Sequence, residues 1–201
     1  MTSFTQADLN HQLKINFEKQ ISQPFDNWLS FSEKFKHKQL TENQHWIKAG
    51  DFCEDIGFIL SGLLRVYYID HNGNEVNQHF YQANEALAPI SALVSAQPCE
   101  YYIQAIEPVD LMLSNYRDLN NTHSKNTQWL QLEVKLLQTV FIKSAKREAQ
   151  LLLGNAEQRY KWFLKEFPNL NDKLTQYHIA SFLGITAVSL SRLKRKMDTR
   201  Y

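Results

Sequence analysis

The hydrophobic pattern changes period twice along the chain, and each change predicts a different kind of element. At the N-terminal end the apolar positions have helical spacing around Leu9 to Ile21 and Phe25 to Phe35, with Pro24 between them. From His37 the period shortens. KQLTENQHWIKAGDF gives two short segments on either side of Asn43 and closes in the turn Ala49-Gly50-Asp51. IGFILSGLLRVYYID, at 56 to 70, is dense in leucine, aromatic and β-branched residues and is interrupted at Ser61-Gly62. Asn72-Gly73 then marks a hairpin. EVNQHFY alternates, with Val76, Gln78 and Phe80 on one side and Asn77, His79 and Tyr81 on the other. YYIQAIE and VDLMLS follow, split by Pro108. Short strands broken by turns every 8 to 12 residues or so predict a small antiparallel barrel or sandwich.

The helical period returns at Ser124 and runs to about Leu153 without Gly or Pro. Leu130, Val134, Leu137 and Phe141 step like one seam of a coiled coil, and Trp129, Leu132, Leu136 and Val140 form a second stripe. One stripe satisfies a neighbouring domain; two predict a helix held between its own domain and a partner. Gly154 stops this helix, and Asn155 caps the next, whose face Tyr160, Phe163, Leu164 and Phe167 ends at Pro168.

The stretch TQYHIASFLGITAVSLSRLKR, 175 to 195, reads as two short helices joined at Gly184. Ile179, Leu183, Ile185, Leu190 and Leu193 supply apolar contacts, and Ala180 lets the helices approach. Gly184 takes a left-handed turn, and Thr186 caps the second helix. On that helix Leu190, Leu193 and Met197 share one face, while Val188, Ser189, Arg192, Arg195 and Lys196 share the opposite one. An apolar inner face and a basic outer face are the layout of a helix-turn-helix whose second helix enters the DNA major groove.

Charge changes the picture only when it is divided. The whole chain nets +1, but the first 172 residues hold 16 Lys+Arg against 20 Asp+Glu, and the last 29 hold six against one. Phosphate attraction is thereby kept local to the basic end. Cys53 and Cys99 are too few for an iron–sulfur cluster or a structural zinc site. The seven histidines show no metal-ligand spacing, and no phosphate loop or nucleophile elbow is present. No catalytic, metal or cofactor site is predicted. The start MTSFTQADLNHQLK lacks the pattern of a signal peptide, and the longest weakly polar run, 86 to 96, is too short to span a bilayer. A cytoplasmic protein with no membrane partner is expected. Arg65 is expected to face solvent. The pairs Tyr67-Tyr68 and Tyr101-Tyr102 are read as cavity lining or packing.

Three segments in this order, AGDFCEDIGFILSGLLRVYYIDHNGNEV, the 124 to 153 helix and LTQYHIASFLGITAVSLSRLKRKM, resemble the Crp/Fnr family of bacterial transcription regulators. The resemblance implies an α+β fold: a cyclic-nucleotide-binding-like antiparallel β-barrel or jelly roll, a long dimerisation helix and a C-terminal helix-turn-helix domain. The corresponding limits are 1–123, with leading helices, then 124–154 and 155–201. It also implies a regulator that binds near-palindromic double-stranded promoter DNA as a homodimer, with RNA polymerase and an unidentified small-molecule effector as further partners. Thr186, Val188, Ser189, Arg192, Lys194, Arg195 and Lys196 are the DNA-binding candidates. Among them Ser189 and Arg192 are expected on bases; Lys194, Arg195 and Lys196, with Arg200, are expected mainly on phosphates. Leu130, Val134, Leu137 and Phe141 are the dimer candidates.

The chain departs from that family where cyclic AMP is held. Family members supply a Glu for the ribose and an Arg-Ser pair for the phosphate; here alignment places Pro89 and Cys99-Glu100. With a thiol in place of the arginine and a carboxylate in place of the serine, the site repels a phosphate by roughly 4 kcal/mol at about 4 Å and an effective dielectric near 20. Control by cyclic AMP is therefore not expected, and Gln97, Tyr101 and Tyr102 become candidate linings for a neutral or apolar ligand. The family's cysteine cluster for oxygen sensing is absent, its base-reading Arg-Glu pair is Ala187-Val188, and the strands that usually follow the reading helix are missing. The competing reading is a small-molecule-binding β-barrel, or a cupin-like enzyme, with a helical tail that does not bind DNA. Removing the last 29 residues separates the two, because only a regulator loses its function.

Overall fold

The computed structural model describes residues 5–123 and 125–198. Two helices open it, α1 (Gln6–Ile21) and α2 (Trp28–Ser32). Thr5 and Asp8 form a capping box that starts α1, and Ser22 ends it in the left-handed conformation. The stretch expected to be helical from Phe25 to Phe35 is helical only at its centre.

The strands are β1 (Lys36–Leu40), β2 (His45–Ile47), β3 (Asp55–Ser61), β4 (Leu63–Ile69), β5 (Glu75–Gln82), β6 (Ala86–Leu87), β7 (Tyr102–Ala105) and β8 (Val109–Asn115). The short helix α3 (Ile90–Ser95) lies between β6 and β7. Two four-stranded sheets result, ordered β1-β8-β3-β6 and β2-β7-β4-β5. β8 is antiparallel to both of its neighbours, with Lys36 and Gly57 each opposite Leu113. The chain crosses from one sheet to the other at Gly62, where φ is +92° and a Cβ would sit 2.2 Å from the Pro108 carbonyl oxygen. No other residue fits that corner without moving the backbone. The hairpin marked by Asn72-Gly73 is present. Its loop is held by the Asp70 carboxylate, which accepts from the Asn72 and Asn74 amides.

Contacts divide the described residues into two compact units, one from the residues up to Val66 with Phe80–Gln138, the other from Tyr67–His79 with the residues from Thr139 on. In the first, one core cluster joins Leu40, Ile59 and Leu111 of the first sheet to Ile47, Leu64 and Ile103 of the second. The other face of β3, with Ile56, Phe58 and Leu60, is also buried. It is covered by Leu13 and Phe17 of α1, by Phe31 of α2, and by the helices that follow β8. These are α4 (Tyr116–His123), which the strand pattern did not foreshadow, and α5 (Thr127–Leu153). Leu119, Trp129 and Leu132 are the contacts they contribute, all fully buried. The N-terminal helices are thus a cover for an otherwise naked sheet face. Phe17 is in ring contact with Phe25, Trp28, Phe31, Phe35 and Phe58.

The second unit holds α6 (Ala156–Glu166), α7 (Gln176–Leu183) and α8 (Ala187–Asp198). Asn155 and Gln158 form the capping box that starts α6. Phe163, Phe167, Leu170, Ile179, Phe182, Leu183 and Leu190 are buried in this unit. Trp162 stacks on Phe182 at 5.6 Å.

One expectation is corrected. Arg65 does not face solvent: it is 4% exposed, and its Nε and Nη2 both donate to Gln104 Oε1. On β5, where the alternation left the buried side open, Asn77, His79 and Tyr81 are all buried, while on the other side Val76 is 38% exposed and Phe80 is buried. Polar groups far along the chain satisfy Arg65 and Asn77, so burial costs these two no hydrogen bonds.

Candidate nucleic-acid interface

α7 and α8 meet through a three-residue turn whose geometry the sequence dictates. Thr175 caps α7 by accepting from the His178 amide. Gly184 ends the helix at φ +67°, which lets Ile185 N–H reach Ala180 O at 3.0 Å and Gly184 N–H reach Ser181 O at 3.2 Å. Thr186 Oγ1 accepts from the Ser189 amide at 3.1 Å and starts α8. Ala180 is 1% exposed and Leu190 is fully buried at the helix–helix contact.

The outward face of α8 carries Val188, Ser189, Arg192, Arg195 and Lys196, all exposed. Thr186 is exposed too, but its hydroxyl is occupied by the cap and by Ser189 Oγ, 2.9 Å away. Lys194 is separate from this group. Its Nζ lies 5.6 Å from the centroid of the Tyr160 ring, a cation–π contact on the inner side of the helix. Arg200 lies outside the described residues.

Two arginines that the sequence did not single out hold this head. Arg159 donates to three carbonyls, Leu151, Gly154 and Leu183, at 2.9 to 3.0 Å, tying the end of α5 to the end of α7. Arg147 Nη2 donates to Asn77 O and Phe182 O, and its guanidinium lies over the Phe182 ring. Burial pulls the Arg147 pKa down from its ordinary value. Ser181 completes the clasp. Its hydroxyl accepts from the Asn77 amide at 2.9 Å and donates to Glu75 O at 2.7 Å, while Asn77 Nδ2 donates to His178 O. The edge of β5 is thereby closed by side chains from α5 and α7. His79 packs edge-on to Phe167 at 5.5 Å, and burial together with Lys143 and Arg147 pushes its pKa down to about 3.

On α5 the two stripes have different fates. Trp129 and Leu132 are fully buried, whereas Leu130, Val134, Leu137 and Phe141 are 41%, 52%, 40% and 74% exposed.

The candidate ligand residues are not brought together. Gln97 lines a cavity of about 390 Å³ with Phe52, Cys53, Leu93 and Arg117, but neither tyrosine lines it. Tyr101 packs against the sheet core, and Tyr102 meets the His45 ring edge-on at 5.8 Å. Pro89 precedes α3. Cys99 is 2% exposed, donates to Tyr101 O and has its thiol pKa raised by burial; Glu100 is exposed. Both cysteines are free. Among the described residues no group of three His, Cys, Asp or Glu side chains could hold a metal ion, and no helix is long and apolar enough to cross a membrane.

The sequence model of the cyclic nucleotide-binding domain family matches residues 37–126. The search of solved structures finds FixK2 from Bradyrhizobium japonicum, 16% identical, with TM-score 0.69 over 83% of this chain and 85% of that one. It also finds CLP from Xanthomonas campestris, described as a c-di-GMP-responsive global regulator, 11% identical, TM-score 0.71, over 85% and 89%. The chain thus shares its fold with these regulators, and residues 37–126 are similar to the cyclic nucleotide-binding domain family. A CooA mutant from Carboxydothermus hydrogenoformans is similar in fold at 17% identity and TM-score 0.70, over 85% and 79%. No curated protein sequence matches significantly.

Proposed function

We propose that this Crp/Fnr-type chain is a cytoplasmic transcriptional regulator, and not an enzyme, that binds a near-palindromic promoter site as a homodimer. The observation that carries the reading is the outward face of α8, where Val188, Ser189, Arg192, Arg195 and Lys196 are exposed on a helix capped by Thr186 and backed by α7. Arg192 is the base reader and Ser189 its neighbour; Arg195 and Lys196 neutralise phosphates. The α5 stripe Leu130, Val134, Leu137 and Phe141 is the dimer seam, and RNA polymerase is the partner through which such a regulator acts. Selection of bound fragments from genomic DNA with the purified protein tests this. Enrichment of one two-fold-symmetric motif is expected, and no enrichment at physiological salt refutes it.

Cyclic AMP is not the effector in this reading. Glu100 is exposed, so its repulsion is screened by water and the case rests on what is missing. A buried cyclic phosphate needs a fixed cation, and the aligned positions offer a buried neutral thiol and a carboxylate. Calorimetric titration with cyclic AMP and cyclic GMP should show no binding in the micromolar range. A dissociation constant at or below about 10 μM, which corresponds to about −7 kcal/mol, overturns this part.

A further inference from the structure

We propose that Val188 is a specificity-determining residue that reads a thymine methyl group. The inference rests on the DNA-binding reading above and deepens it. Exposed valines are ordinary on protein surfaces, and exposure alone says little. Its position is what makes Val188 informative. It is 61% exposed in the first turn of α8, the part of a reading helix that reaches base edges. The polar side chains beside it are already engaged, because Thr186 Oγ1 takes the Ser189 amide and pairs with Ser189 Oγ. Ala187, on its other side, has no polar atom to offer. The first turn therefore presents an isopropyl group to the groove.

An apolar group pressed onto a base edge strips water from the polar atoms there without replacing their hydrogen bonds. The major groove has one apolar feature that avoids this penalty, the C5-methyl of thymine. Val188 thus favours a pair with thymine facing it and disfavours G·C and C·G. Arg192 lies one turn further on the same face, about 6 Å along the axis, or roughly two base steps. The operator should accordingly hold a thymine about two positions from the guanine that Arg192 contacts, in each half-site.

The test uses the full-length protein and the operator recovered by selection, synthesised with deoxyuridine in place of single thymines. Uracil pairs as thymine does and lacks only the methyl. Losing one buried methyl contact should weaken binding about four-fold per half-site, and about fifteen-fold when both half-sites are changed. In Val188→Ala the same replacement should have no further effect. Val188 is exposed, so this variant keeps its fold, and thermal melting checks that it does. The proposal is overturned if uracil is tolerated at every position, or if Val188→Ala loses as much on the replacement as the unmodified protein. Either result leaves DNA binding itself standing. Failure to enrich any DNA overturns both readings together.

Discussion

His79 shows how one side chain ties the stability of the C-terminal helical unit to pH. It is neutral in the folded chain down to about pH 3, held so by burial and by the cations Lys143 and Arg147. Unfolded, it takes a proton near pH 6.5. The folded value lies below the unfolded one, so stability present above pH 6.5 is lost as pH falls toward 3, with a slope approaching about 1.4 kcal/mol per unit. The melting temperature should therefore drop faster between pH 6.5 and 5 for the unmodified protein than for His79→Leu; parallel slopes would count against this. On α8 the residues separate by role. Arg192→Ala should remove about 1–3 kcal/mol of discrimination at one base pair per half-site. Lys196→Ala should weaken all sequences alike and flatten the salt dependence. Lys194→Ala should leave the salt slope unchanged, because Lys194 lies against Tyr160. Titrations on cognate and scrambled duplexes at several salt concentrations distinguish the three. An equal loss on both duplexes for Arg192→Ala would remove its base-reading role.

At the scale of elements, the legible parts were those whose signals are local. Gly184, Thr186 and Leu190 prescribe the turn, cap and contact of the helix pair within a dozen residues, and Asn155 with Gln158 does the same for α6. Gly62 marks the sheet crossing because a backbone corner there admits no Cβ. What stayed hidden depends on partners far along the chain. Alternation left open which side of β5 is buried, and Asn77 is fully buried with Ser181 and Arg147 reaching it from 70 or more positions away. Arg147 and Arg159 left no periodic signal, since a helix face that bonds carbonyls reads as an ordinary solvated face. The cover provided by α1 was likewise invisible, because nothing in strand periodicity says that β3 is buried on both faces. Ser181→Ala tests the clasp directly. It leaves Glu75 O and the Asn77 amide without this hydroxyl, a loss of about 1–3 kcal/mol if water cannot replace it. Hydrogen exchange at the Asn77 amide should accelerate, and unchanged protection would show that the hydroxyl is dispensable.

For the whole molecule the decisive quantity is whether two reading heads act together. One head gathers few phosphate contacts, whereas a symmetric pair doubles both charge and base readout, with half-sites about one helical turn apart. The sequence places the basic excess in the last 29 residues and leaves the rest acidic, so in the proposed reading attraction to DNA is concentrated at the C-terminal helices. The α5 stripe is the means of pairing proposed here. Leu130, Val134, Leu137 and Phe141 remain between 40% and 74% exposed in one chain, while Trp129 and Leu132 have satisfied its own core. A two-fold axis would bury each of the four residues twice. Fully burying such a side chain contributes up to about 1.5–3 kcal/mol, less for one already half-buried, and association costs at least several kcal/mol in lost freedom, so losing one position from both chains weakens pairing. Phe141→Asp removes the most exposed of them and sets two carboxylates against each other across the axis. It should sediment as a folded monomer with little operator affinity, and its circular dichroism should match that of the unmodified chain. If the unmodified protein itself sediments as a monomer at micromolar concentration, the seam is not an interface and DNA recognition must be achieved by a single head.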